Sequence, residues 1–178
     1  MFYRRKLPHL QRDNKRHFVT FCTFQRWVLP DVARAIALRC CLHDSDTKHF
    51  LHAAVIMPDH VHLIFTPLIN QVKREFYSLA EIMGAIKGAS AQLINREFGR
   101  TGHVWQTESF DRVLRSSESL DAKIAYIIEN PVRKNLVDRW SIRGFGCGGR
   151  MGWIRSGLLV LRPRTRRVEH NFFPWDSW

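Results

Sequence analysis

Residues 49–66 read HFLHAAVIMPDHVHLIFT, and this stretch decides the fold. His49–Ile56 is an apolar run of strand length, Met57-Pro58-Asp59 carries turn chemistry, and His60–Thr66 resumes as a second strand. A link this short can only return the chain antiparallel. Side chains two apart on a strand share a face, so His60 and His62 project together while Val61, Leu63 and Phe65 point the other way into a core.

Working outward, His17–Arg26 (HFVTFCTFQR) alternates Phe18, Thr20 and Cys22 against Val19, Phe21 and Thr23 and predicts another strand. Pro30-Asp31 opens a helix in which Val32, Ile36, Ala37 and Leu38 recur at helical spacing up to Cys40-Cys41. Ser78–Phe98 places Leu79, Ile82, Met83, Ile86, Leu93 and Ile94 on one side of a long amphipathic helix, with Lys87 elsewhere on it and Gly99 as its stop. Val104–Leu114 predicts a fourth strand, interrupted around Thr107–Ser109. Ser116-Ser117-Glu118 then starts a helix carrying Leu120, Ile124, Ile127 and Ile128, which Pro131 should end. The order β-α-β-β-α-β-α predicts an α+β fold: a ferredoxin-like antiparallel sheet with helices packed on it and an appended C-terminal helix.

The 178 residues suit one domain. With 45% hydrophobic and 25% charged residues, and no apolar run near the ~18 that a spanning helix needs, a transmembrane protein is excluded. Met1–Lys6 leads into no apolar signal segment, so the expectation is a cytoplasmic protein with no membrane partner. Cys22, Cys40, Cys41 and Cys147 show neither a C-x-x-C pair nor zinc-ribbon spacing and are read as reduced. The net charge of +12 is unevenly placed: residues 1–16 carry +5, 17–138 only +1, and 139–178 carry +6. Three segments follow: a basic N-terminal arm (1–16), a nearly neutral domain (17–137) and a Gly/Arg-rich tail (138–178). Two basic arms suit a polyanion such as nucleic acid, although solubility alone also accounts for them.

Two imidazoles side by side supply half of a metal site and leave positions open for a phosphate oxygen, the arrangement of a catalytic metal. An isolated His-apolar-His is more often a hydrogen-bonded pair on a half-wet strand. On the last helix, Tyr126 and Asn130 lie one turn apart, opposite the apolar stripe. A surface tyrosine would look the same.

The combination is more specific: Met57-Pro58-Asp59-His60-Val61-His62, then Gly102-His103-Val104-Trp105-Gln106, then Tyr126-Ile127-Ile128-Glu129-Asn130-Pro131-Val132. Over about residues 8–137 the chain resembles the REP-associated tyrosine transposases, relatives of the single-stranded-DNA (HUH) transposases of bacterial insertion sequences. The resemblance implies Tyr126 as nucleophile, with His60, His62 and Asn130 as ligands of a divalent metal, Mg²⁺ or Mn²⁺. It implies single-stranded or hairpin DNA as substrate, nicked and rejoined through a 5′-phosphotyrosine, by a monomer or a homodimer that exchanges the tyrosine helix. Arg4, Arg5, Lys6, Arg12, Lys15, Arg16 and Lys87 are the expected nucleic-acid contacts. Trp27, Trp105, Trp153, Phe172, Phe173 and Trp175 are the aromatic candidates for base stacking, with Trp105 better suited to the core. The tail departs from the tryptophan-serine segment usual in the family. A catalytically silent nucleic-acid-binding module of the same fold is the alternative reading, and a hydrolase using water on a metal held by His60 and His62 a weaker one.

Overall fold

The computed structural model describes residues 15–115 and 119–135. The expected arm residues Arg4, Arg5, Lys6 and Arg12, and the whole tail beyond 135, lie outside them. The chain runs β1 (His17–Cys22), a 3₁₀ turn (Phe24–Arg26), α1 (Asp31–His43), β2 (His49–Ile56), β3 (His60–Pro67), β4 (Ile69–Asn70), β5 (Glu75–Phe76), α2 (Leu79–Glu97), β6 (Phe110–Val113) and α3 (Leu120–Arg133). The main sheet has the order β2-β3-β1-β6. All three pairings are antiparallel, and β4 and β5 form a separate hairpin. This is the α+β architecture that the sequence predicts.

The period-two alternation of the strands divides the sheet into two faces. Val19 and Phe21 of β1, Val61, Leu63 and Phe65 of β3, and Leu51 of β2 point to one side. There α1 covers them with Ala33, Ala37, Leu38 and Cys41, and α2 with Leu79, Ile82, Met83, Ile86 and Ile94. Phe18, Ala53, Val55 and Ile64 point to the other side, where Ile127 of α3 is fully buried against them and Leu120, Ile124 and Ile128 pack partly buried. Helix α2 starts on a complete capping box: the Glu81 N–H donates to the Ser78 hydroxyl and the Ser78 N–H donates back to the Glu81 carboxylate.

Four expectations need correction. The first strand stops at Cys22, because Phe24–Arg26 turns with Gln25 and Arg26 at φ 51° and 56°. The fourth strand shrinks to Phe110–Val113; before it, Trp105 makes only an isolated bridge to Thr23. Pro131 does not end α3 but lies inside it. Its missing N–H falls in the last turn, where a single helical bond is forfeited, and the Lys134 N–H closes that turn on the Asn130 carbonyl at 3.0 Å. The β4/β5 hairpin was not anticipated, since its turn contains no glycine; Asn70 builds it by accepting the Val72 and Lys73 N–H groups on its side-chain oxygen.

Candidate catalytic and metal site

The antiparallel register places His62 opposite Thr20 and His60 opposite Cys22 on the face that α3 covers. The two rings lie 4.7 Å apart between centroids, inclined at 80°. Each is held by its Nδ1: His60 lies 2.6 Å from Asp59 Oδ1, and His62 lies 2.8 Å from Thr20 Oγ1. Phe18 stacks on His62 at 5.7 Å. Burial, then His60 and Lys123, push the His62 pKa down to about 4, so its ring is neutral at ordinary pH and its lone pair is not lost to a proton.

These features fit a divalent cation. With both Nδ1 atoms engaged by oxygens, the Nε2 atoms are the ones left to coordinate, and an Asp–His hydrogen bond is the usual outer support of a metal-bound imidazole. Among the described residues no cluster of three or more His, Cys, Asp or Glu side chains could hold a metal ion, so further ligands would come from an amide, water or substrate.

Helix α3 packs on this face through its isoleucines and carries Tyr126 on its exposed side, linked to the histidine pair through Lys123. Lys123, one turn before Tyr126, sets its ammonium 4.4 Å from the centroid of Phe18, the ring stacked on His62, and 4.7 Å from that of Tyr126. The Arg133 guanidinium lies 5.3 Å from the Tyr126 ring centroid and also donates to Glu129. Tyr126 is therefore an exposed residue, 44% accessible, with two cations near its ring. Asn130 sits half-buried one turn further along the same helix.

The remaining expected contacts are dispersed. Lys15 and Arg16 are exposed just before β1, at the end of that strand away from His60. Lys87 lies beneath the other face, its ammonium donating to the carbonyls of Gln106 and Thr107 and to Ser109, so it pins the loop before β6. Trp105 is a core residue, only 5% exposed, whose indole N–H donates to Ser90. Trp27 carries the Arg100 guanidinium 3.5 Å from its ring centre. Trp153, Phe172, Phe173 and Trp175 lie outside the described residues.

The sequence reading overlooked four participants: Thr20, Asp59, Lys123 and Arg133. A signal existed for the last two, because Lys123, Tyr126, Asn130 and Arg133 repeat at i, i+3, i+7 and i+10, a polar stripe opposite the apolar one. Phe110 was also overlooked as a surface group. It stands opposite Thr20 on the histidine face, 60% exposed, with its ring edge-on to Phe18 at 6.4 Å.

Among the described residues no helix is long and apolar enough to cross a membrane. No curated protein matches the chain. A solved structure described as a REP-associated tyrosine transposase bound to a REP hairpin is 19% identical, with a TM-score of 0.55, and the match covers 78% of this chain and 77% of that one. That likeness is one of fold. A Deinococcus radiodurans protein described as a transposase is 24% identical over 71% of this chain and 97% of its own, with a TM-score of 0.44. The family model described as "Transposase IS200 like" matches residues 11–130, from before the first strand through Tyr126 and Asn130. The chain belongs to the IS200-like transposase family.

Proposed function

We propose that this protein nicks and rejoins single-stranded or hairpin DNA through a covalent bond between Tyr126 and a DNA 5′-phosphate. The observation that carries the reading is an exposed tyrosine, flanked by Lys123 and Arg133, on the helix that packs over the sheet face bearing two imidazoles whose Nδ1 atoms are already engaged. The Tyr126 oxygen attacks phosphorus, the bond to the preceding 3′-oxygen breaks, and that oxygen leaves as a 3′-hydroxyl after taking up a proton. One phosphodiester replaces another, so rejoining needs no ATP. His60 and His62, with Asn130 as the amide donor, would hold Mg²⁺ or Mn²⁺; when bound, the cation polarises the phosphate and offsets charge growing on the leaving oxygen. Lys123 and Arg133 draw the phosphate to the phenol and offset its charge there.

The site lies between a helix and a sheet face, a space that suits an unpaired strand better than a duplex. Phe110 offers a flat apolar surface on that face, where an unpaired base could stack. Lys15 and Arg16, with Arg4, Arg5, Lys6 and Arg12 of the basic arm, suit the backbone of a hairpin.

The test is incubation with Mn²⁺ and hairpin oligonucleotides labelled at the 5′ or the 3′ end. A covalent adduct on the 3′ fragment is expected from the wild type and none from Tyr126→Phe. Equal adduct from both proteins, or none from the wild type, would overturn the assignment, and metal-independent binding without cleavage would mark a binding module instead.

A further inference from the structure

The turn after β1 adopts an unfavourable backbone that its sequence does not invite. Gln25 and Arg26 both take left-handed conformations, at φ 51° and 56°, although neither is glycine. Such conformations are costly for residues other than glycine and persist where the surroundings over-determine them. Here the surroundings are explicit. The Thr23 N–H and hydroxyl both donate to the Asp59 carbonyl, at 2.9 and 3.1 Å, the Phe24 N–H to the Val104 carbonyl at 2.8 Å, and the Leu29 N–H to the Pro58 carbonyl at 2.7 Å. The segment is thereby stitched onto the Met57-Pro58-Asp59 turn that leads into His60.

The result is a three-member chain. The Arg26 guanidinium donates to Asp59 Oδ2 at 3.1 Å, and Asp59 Oδ1 lies 2.6 Å from His60 Nδ1. An ionised carboxylate can only accept, so Nδ1 is the nitrogen that carries a proton in this contact, and in the neutral ring that leaves the lone pair on Nε2. Thr20 imposes no such choice on His62, because a hydroxyl both donates and accepts. The two histidines are therefore unequal: one tautomer is selected at His60 before any ligand arrives, while at His62 either is compatible with Thr20.

We propose that Arg26 and Asp59 are positioning residues: the left-handed turn delivers Arg26 to Asp59 so that Asp59 fixes the orientation and tautomer of His60, making His60 the prearranged metal ligand of the pair. This rests on the reading of His60 as a ligand. Arg26 does not touch the metal; its contact with Oδ2 keeps the carboxylate aimed at His60. The Arg26 side chain is 61% exposed, so replacing it removes this contact without opening the core.

The test uses two readouts on the full chain. In metal-free, ¹⁵N-labelled protein, long-range ¹H–¹⁵N correlation spectra report the tautomer of His60, its signals assigned by their loss in His60→Gln. Titration with Mn²⁺, followed by electron paramagnetic resonance, reports affinity without any reaction. The wild type should show the Nδ1–H form at His60. Asp59→Asn should mix the tautomers and weaken Mn²⁺ binding about 10- to 100-fold, the usual effect of losing an outer-shell partner. Arg26→Ala should weaken binding several-fold, and Arg26→Lys should restore most of it. An Nε2–H form in the wild type, or Mn²⁺ affinity unchanged in both Asp59→Asn and Arg26→Ala, overturns the proposal. A wild type that binds no divalent cation yet keeps the Nδ1–H form overturns the ligand reading instead, leaving the clamp on His60 as a structural device.

Discussion

The two faces of the central sheet use the same strands for opposite ends. Beneath α1 and α2, Phe21, Leu63 and Phe65 are sealed from water, and the buried polar groups there are few and structural, such as Ser90 under the Trp105 indole. Beneath α3 only part of the face is apolar. Phe18, Val55 and Ile64 dock the helix, while His60, His62 and Thr20, on alternate positions of the same strands, stay partly accessible. One face fixes the shape of the molecule, and the other accepts less burial to keep side chains available.

The sharpest way to break this comparison is to cut into each face separately. Phe21→Ala removes a ring that is 1% exposed and packed edge-on against Trp105 at 4.9 Å. It should cost about 3–5 kcal/mol of stability, read as the shift of a chemical-denaturation midpoint. Tyr126→Phe should leave that midpoint unchanged while removing the DNA adduct. A Tyr126→Phe protein as unstable as Phe21→Ala would mean that the tyrosine serves the fold.

Ile127→Ala should fall between these cases. Its side chain is fully buried and is the central anchor of α3. The expected loss is about 2–4 kcal/mol, but its distribution matters more than its size. Hydrogen exchange should show α3 amides losing protection while those of α1 and α2 keep it, and adduct formation should fall with them. Uniform loss of protection would show that the two faces form one cooperative unit.

This division explains what could be read in the sequence. Helix α2, β2 and β3 were legible nearly to the residue, since each carries an apolar period and a clear boundary signal: Gly99 for the end of the helix, Met57-Pro58-Asp59 for the hairpin. His60, His62, Tyr126 and Asn130 were legible as residues, because strand and helix periodicity put each pair on one side of its element. Their supports were not. Thr20 meets His62 across a separation of 42 residues, and the Arg26 contact with Asp59 depends on two left-handed residues that no local preference would predict. Lys87 misled for a related reason: a lysine on a helix looks available until a distant loop occupies its ammonium.

Acid sharpens the comparison further. His52 donates to or accepts from Thr66 Oγ1 at 2.8 Å on the α3 side, and burial, then the nearby Arg16 charge, push its pKa down to about 4. The native state holds this ring neutral, whereas the unfolded chain protonates it near 6.5. Its contribution is therefore complete above about pH 6.5 and is lost as pH falls toward 4. Between pH 7 and 5 the loss should be about 1–2 kcal/mol. His62, whose pKa is also pushed down to about 4, titrates over the same range, so His52→Gln, which keeps a hydrogen-bonding group but cannot take up a proton, should remove only its own share of that slope. An identical profile in the variant would place the acid sensitivity elsewhere.

The smallest effect belongs to the helix that the site does not use. Ser78 satisfies the Glu81 N–H at the start of α2, and Glu81 returns the contact to the Ser78 N–H at 2.8 Å. Ser78→Ala removes one half of this exchange and should cost about 1 kcal/mol, visible as a modest drop in the denaturation midpoint. Nothing in the exchange reaches the α3 face, so adduct yield on folded protein should not move. The pairing of that result with Ile127→Ala is what gives it weight: two substitutions in helices on opposite sides of one sheet, both acting on stability, of which only the one under the tyrosine should also change the chemistry.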